Sequence, residues 1–391
     1  MTKREQARSA GWTILPPSPV RFVETKQQSV IALEPPTGHS PLDCFKLLWS
    51  PNIHERRIKQ TRAHVTQSYC AFSEDHLIAT GWEYIGCHLD FIVEPCDTLK
   101  EHWQHKAYLP GRDAMLDLHA HRDSVDSYTL ATLLSDNFCA SVDVGSHVTI
   151  DELVAPSYID SPAVSVIPRK PHSNGVLVWA AAVKLLGLTP YIIRFLPKTE
   201  EYPDWKTEDI VQNLVEPLDS SIKRKFTMDS WFDSQGVHEY LTSTGQYYTL
   251  GAHSGRDKAF WDQARHGLLP HTWKQFFNSN TNVMASVFSD KGVHCCMSSA
   301  YRPLTRLNQE LPRCPLSEAY KKQFNVVDLF NRNFYKNLLP HKRMTVSKVL
   351  FDTCILITLL NARALYIIQD EADELSIKEF ITEVRNSLLQ V

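Results

Sequence analysis

Glycine is scarce. The 391 residues include 14 glycines and no Gly-rich loop, which leaves no cradle for the phosphates of a bound nucleotide. No Gly-x-Ser-x-Gly occurs either, so the nucleophile elbow of a Ser-His-Asp hydrolase is excluded. The nine cysteines form no Cys-x-x-Cys, and none follows Cys354. No zinc module is therefore expected, and the odd, scattered set reads as reduced intracellular thiols rather than a disulfide framework. Long apolar runs are missing. The longest, residues 349–360, contains Asp352 and falls short of the roughly 20 residues a bilayer span requires, so no membrane partner is expected. Residues 1–11 are charged without an apolar core, which is not a secretory signal. Excess charge of one sign is absent too. Lys plus Arg number 41 against 44 Asp plus Glu, a net charge of −3. Any nucleic-acid surface must then be a local patch.

What remains is an ordinary globular composition, 43% hydrophobic and 22% charged, long enough for two to three domains. Residues 1–40, with Pro16, Pro17, Pro19, Pro35 and Pro36, read as a flexible leading segment that docks near Val20–Val23. Residues 41–145 are helical in pattern, with Leu77, Ile78, Trp82, Ile85, Leu89 and Ile92 as one apolar face. The pattern changes near Val148. Strands are expected at 148–154, 176–183 and 190–196, then a helix capped by Thr207 and a strand at 223–228 ending on Asp229. This is α/β with a mixed sheet. A hairpin follows at 283–288 and 293–298, after a loop-rich, aromatic stretch at 251–282. One helix is expected through Phe324, Val327, Phe330 and Phe334. A long helix capped by Thr345 and an amphipathic helix through Ile377, Phe380 and Val384 complete the chain.

Three carboxylates stand out by position: Asp151 on the first strand of the α/β region, Asp229 at the end of its fourth, and Asp328 on a later helix. Cleaving a phosphodiester calls for divalent metal on oxygen ligands, and acids converging from two strands and a helix could supply them. Spacing alone leaves many other Asp triples open. The wording around each narrows the choice: Thr149-Ile150-Asp151-Glu152, Thr227-Met228-Asp229-Ser230-Trp231-Phe232 and Val326-Val327-Asp328. Between the first two lies Ile167-Pro168-Arg169-Lys170-Pro171-His172-Ser173-Asn174-Gly175. Leu360-Asn361-Ala362, Leu375-Ser376-Ile377-Lys378-Glu379-Phe380 and the fainter Gly81-Trp82-Glu83-Tyr84-Ile85-Gly86 complete the set.

In this order the segments resemble the piggyBac family of DDE transposases, over roughly residues 75–390. The resemblance implies a ribonuclease H-like mixed sheet flanked by helices at 146–338, with an insertion near 253–316. It implies a helical domain at 41–145 and C-terminal helices at 339–391 that pack together as a dimerisation and DNA-binding unit. It further implies that Asp151, Asp229 and Asp328 are catalytic and ligate Mg2+ or Mn2+. Strand cleavage and strand transfer on double-stranded DNA at TTAA targets, a homodimer and a nuclear location follow from it as well. The alternative is a domesticated descendant that binds DNA or protein without cutting.

The chain departs from the family in places. Tyr158-Ile159-Asp160-Ser161-Pro162 stands where a basic segment is usual, Asn331 where many members have a further Asp, and the cysteine-rich C-terminal module has no counterpart.

Other candidates have plainer readings. His102-Trp103-Gln104-His105 and His119-Ala120-His121 lack a neighbouring ligand set and read as ordinary histidines. Strand alternation makes one of Cys295-Cys296 core and the other exposed. Residues 301–348 hold ten Lys and Arg against three acids, and Arg56, Arg57, Lys59 and Arg62 form a second basic patch. Phe260-Trp261, beside Arg256 and Lys258, reads either as insertion core or as a base-stacking surface.

Overall fold

The computed structural model describes residues 12–15, 20–22, 38–64, 74–94, 127–168, 170–187, 189–199, 205–252, 257–303, 313–338, 345–369 and 375–390. The two histidine pairs at 102–105 and 119–121, and Arg256, lie outside them.

In chain order, β1 (Trp12–Leu15) and β2 (Val20–Phe22) precede four helices, α1 (Pro41–Leu48), α2 (Pro51–His64), α3 (Glu74–Val93) and α4 (Ser127–Ala140). Then come β3 (His147–Pro156), β4 (Val164–Val166), β5 (Asn174–Leu185), β6 (Thr189–Pro197), α5 (Thr207–Val215) and β7 (Lys225–Met228). A 3-10 turn at Ser230–Phe232 leads to α6 (Gln235–Ser243), β8 (Tyr247–Gly251) and α7 (Lys258–Arg265). The antiparallel run β9 (Trp273–Asn278), β10 (Val283–Ser289), β11 (Val293–Ser298) and β12 (Tyr301–Pro303) follows. Four helices close the order: α8 (Pro315–Lys321), α9 (Val326–Lys336), α10 (Val346–Ile367) and α11 (Ile377–Leu389).

These elements form two compact units. The first comprises Met1–Ser29, Val144–Asp151 and Trp205–Val327; the second comprises Val30–Asp143, Glu152–Asp204 and Asp328–Val391. The chain passes from one to the other along β3, between Asp151 and Glu152.

In the first unit the strand order is β1-β9-β10-β11-β8-β7-β3. β3 and β7 are parallel, with His147 opposite Lys225 and Ile150 opposite Met228. β7 and β8 are parallel as well, with Met228 opposite Leu250; the remaining pairs are antiparallel. Parallel neighbours need a crossover, and α6 supplies it between β7 and β8. The leading residues contribute here: β1 adds to β9, and β2 pairs with β12.

In the second unit β5 neighbours β3 and pairs antiparallel with both β4 and β6. Gly175 is dictated by packing: a Cβ there would stand 2.3 Å from the Ala155 carbonyl oxygen and 2.6 Å from Val154 Cγ1. β5 and β6 slip register between Ala181 and Ala182. The side chain of Asn361, on α10, takes up the backbone beside the slip. Its Oδ1 accepts the Ile192 N–H at 2.9 Å and its Nδ2 donates to the Ile192 carbonyl at 2.7 Å. Both glycines of the 81–86 segment are close-approach sites. A Cβ on Gly81 would meet Ile58 at 2.7 Å, and one on Gly86 would meet Leu389 at 2.9 Å.

Helix ends follow the local chemistry. Thr345 accepts the Lys348 N–H and caps α10. Ser376 and Glu379 form a reciprocal capping box on α11, as Ser40 and Asp43 do on α1.

Several expectations are corrected. Thr207 is the first residue of α5 rather than its cap; Lys206 is the N-cap, and its N–H donates to Asp209 at 3.2 Å. The helix expected through 324–334 begins only at Val326, leaving Phe324 ahead of it, and a separate helix, α8, occupies Pro315–Lys321. The stretch 251–282 contains the end of β8, all of α7 and all of β9. α10 is, by length and composition, long and apolar enough to cross a membrane, yet 89% of its most apolar window is buried within the protein. It is a core helix here.

Candidate active site: grouped carboxylates where the parallel pairing ends

Register alone brings two of the expected acids together. Ile150 and Met228 face each other at the end of the β3–β7 pairing, so the next residues, Asp151 within β3 and Asp229 just past β7, lie side by side where the parallel pairing ends. That end of a parallel sheet is where α/β proteins place ligands. With Glu152, the next residue of β3, Asp151 and Asp229 each place a carboxylate oxygen so that all three lie within 4.8 Å of one another. Asp151 is 8% exposed; Glu152 and Asp229 are half-buried.

The main chain fixes Asp229. Its Oδ1 accepts the Trp231 N–H at 2.8 Å and caps the 3-10 turn. Gly251, at the end of β8, lets this turn approach: a Cβ there would sit 3.2 Å from the Ser230 nitrogen. The Trp231 ring stands half exposed beside the acid, at 51%.

Asp328 is not a member of the three-oxygen group. It lies in the second unit, exposed, in the first turn of α9, where the helix dipole favours an anion. One turn on, Asn331 donates from Nδ2 to the Glu152 carbonyl at 3.2 Å. Asn331 is 4% exposed, and its Oδ1 has no hydrogen-bond partner among the described residues. A further turn along, Tyr335 receives the Val154 N–H at 3.2 Å. Burial raises the Tyr335 hydroxyl above its ordinary pKa, and the carboxylates of Glu152 and Asp328 add to the rise. Lys170 makes a 3.0 Å ion pair with Glu152. Sequence reasoning quoted Glu152 and Lys170 only as motif letters. Lys170 carried a readable signal, one of two adjacent cations in a Pro-flanked segment between the first two acidic motifs, whereas Tyr335 carried none.

Other candidates resolve as structure. Phe260 and Trp261 are buried, at 0% and 4% exposure, so the pair is core and not a stacking surface. Cys295 and Cys296 are both buried, because β11 is covered on each face, and burial pushes both thiols up. The patch on α2 is only partly a surface. Arg56 and Lys59 are exposed, but Arg57 is buried with its guanidinium 5.2 Å from the Phe351 ring centroid, and the Arg62 side chain lies outside the described set. In the 301–348 cluster, Arg313 and Lys321 both lean on Glu318 at 3.8 Å, while Arg306, Lys342 and Arg343 lie outside the described residues.

The acids are grouped on a mixed sheet, and comparison with known proteins gives the class. The family described as transposase IS4 matches residues 117–363, and the chain belongs to it. Its fold is shared with a solved piggyBac transposase synaptic complex with hairpin DNA. The TM-score is 0.75 at 17% identity, over 93% of this chain and 83% of that one. No curated protein matches the chain.

Proposed function

We propose that the protein is a piggyBac-type DNA transposase that cleaves and rejoins double-stranded DNA with magnesium or manganese at Asp151 and Asp229, Asp328 being the third catalytic carboxylate. The observation that carries this reading is the convergence of Asp151, Glu152 and Asp229 oxygens within 4.8 Å. Carboxylate oxygens suit a hard divalent cation, and no histidine or cysteine belongs to the set. Grouped carboxylates repel one another, and a shared cation would relieve that repulsion.

When bound, such an ion polarises a phosphodiester and stabilises oxygens that gain charge. The chain's own residues supply position. Asp151 is held by the β3–β7 register and Asp229 by the Trp231 N–H. The exposed Trp231 ring offers a face for a nucleobase beside the scissile phosphate. Water attacks phosphorus and a 3′-hydroxyl leaves; that hydroxyl then attacks a target phosphate, and the target's bridging oxygen leaves. General acid–base groups are few at the site, in keeping with a reaction driven by position and charge.

The reading extends to a nuclear location and a homodimer. It also assigns residues 146–338 as catalytic core with an insertion near 253–316, and 41–145 with 339–391 as the dimerisation and DNA-binding part. The piggyBac structure was solved as a synaptic complex with DNA, which supports DNA as partner.

The test is nicking of supercoiled plasmid by the full chain in Mg2+ or Mn2+, with EDTA and Asp229→Asn as controls. Ion-dependent nicking lost in Asp229→Asn supports the enzyme. DNA binding without nicking under either ion supports the domesticated alternative, which Asn331 and the Lys170-held Glu152 favour.

A further inference from the structure

Four residues beyond Asp229, the first unit contains a polar chain that the proposed chemistry does not use. Asp233 follows the 3-10 turn and its side chain is wholly buried, at 0% exposure. A carboxylate is costly to bury unless it is hydrogen-bonded, and here His238 of α6 meets it, Nε2 to Oδ1 at 3.1 Å. The other ring nitrogen, Nδ1, lies 2.7 Å from the Tyr248 hydroxyl on β8. A neutral imidazole protonated on Nε2 fits these two contacts: Nε2–H donates to Asp233, and Nδ1 accepts from the tyrosine O–H. Tyr248 is 2% exposed on β8, between β11 and β7 in the sheet. The chain thus ties the far end of the Asp229 turn to the core of β8.

The rest of the turn is set against the same base. The Asp233 N–H donates to the Ser230 carbonyl at 3.2 Å. Ser234 donates to Glu208 at 2.8 Å and caps α6. Gly251 gives the turn room at the end of β8. The α6 cap is made by Ser234 and not by the Asp233 carboxylate.

We infer that Asp233, His238 and Tyr248 are positioning residues for Asp229, fixing the turn that aims its carboxylate and so setting the affinity of the acidic group for a divalent ion. The inference rests on the metal-site reading above. Groups that orient ligands from behind typically matter about 10- to 100-fold in metal affinity. Here the link runs through a turn rather than a direct bond, so about tenfold is expected.

The experiment titrates the full chain with Mn2+ alone and reads free ion by electron paramagnetic resonance, with each variant's thermal midpoint recorded. His238→Phe weakens binding about tenfold. His238→Gln, whose amide can accept from Tyr248 and donate to Asp233, restores most of it at a similar midpoint. Tyr248→Phe removes one hydroxyl, keeps the ring and weakens binding by a smaller factor; it carries the test if His238→Phe fails to fold. Binding abolished by Asp229→Asn but unchanged in folded His238→Phe, or in Tyr248→Phe where His238→Phe does not fold, overturns this inference and leaves the metal site standing. No Mn2+ binding by the unaltered protein, or none that Asp229→Asn weakens, overturns the metal-site reading and this inference together.

Discussion

Gly175 offers a direct test of how the second unit packs. In Gly175→Ala the new methyl would lie 2.3 Å from the Ala155 carbonyl oxygen and 2.8 Å from its carbon, both backbone atoms of β3, and 2.6 Å from Val154 Cγ1. No rotamer relieves a backbone clash, so β5 has to back away from β3 by about 1 Å to recover ordinary contact. Overpacking of this kind costs about 1–3 kcal/mol, while replacing a strand glycine by alanine returns roughly 0.5–1 kcal/mol of chain entropy. Shifted ladder hydrogen bonds add to the cost, and the net is a loss of about 2 kcal/mol, or about 4–8 °C in thermal midpoint. Gly187→Ala is the comparison. That glycine has φ +74°, and a Cβ added to it would meet nothing within 4 Å, so it reports backbone strain alone, about 1 kcal/mol. Thermal melts by circular dichroism decide between them. A Gly175→Ala midpoint equal to wild type, or above that of Gly187→Ala, refutes the packing argument.

Asn361→Leu strands the Ile192 N–H and carbonyl in a dry interior and is expected to cost about 2–5 kcal/mol, read as a lowered urea midpoint against an Ala364→Leu control. Burial, with the Lys225 charge adding, holds His147 at about 4, so the unfolded chain takes up a proton below about pH 6.5 that the folded chain refuses. Stability therefore falls as pH drops from 6.5 towards 4, by at most about 1.4 kcal/mol per pH unit from this residue; His147→Gln should flatten that slope in urea melts at pH 7.5, 6 and 5. Lys170→Met removes the cation paired with Glu152 and is expected to tighten Mn2+ binding several-fold by titration, whereas weaker binding would assign Lys170 a supporting role at the site.

How much of this was legible depended on range. β3, β5 and β6 were readable because buried strands are near-continuous apolar runs, and Thr345 was readable as a cap because its hydroxyl works within one turn. Thr207 failed for the same local reason: Asp209 takes the Lys206 N–H, which moves the cap back by one residue. The start of α9 was misplaced because the apolar phase of Val327 and Phe330 extends back to Phe324, which lies ahead of the helix. β8 has too few residues to show a period, and without it neither the seat of the Asp229 turn nor the Asp233–His238–Tyr248 chain could be foreseen. At the site, the motif wording picked out Asp151 and Asp229, which the parallel register sets side by side. Glu152 was not singled out; alternation sends neighbouring residues of a strand to opposite faces, yet one of its carboxylate oxygens joins the group. Lys170 meets Glu152 only once the segment before β5 is folded back.

The most direct measurement is anomalous scattering from crystals of the full chain soaked in manganese. The account predicts a peak bonded to carboxylate oxygens of both Asp151 and Asp229, absent from Asp229→Asn crystals treated identically. A manganese-soaked wild-type crystal with no peak at those two side chains, at ion concentrations that occupy other carboxylates, would contradict it.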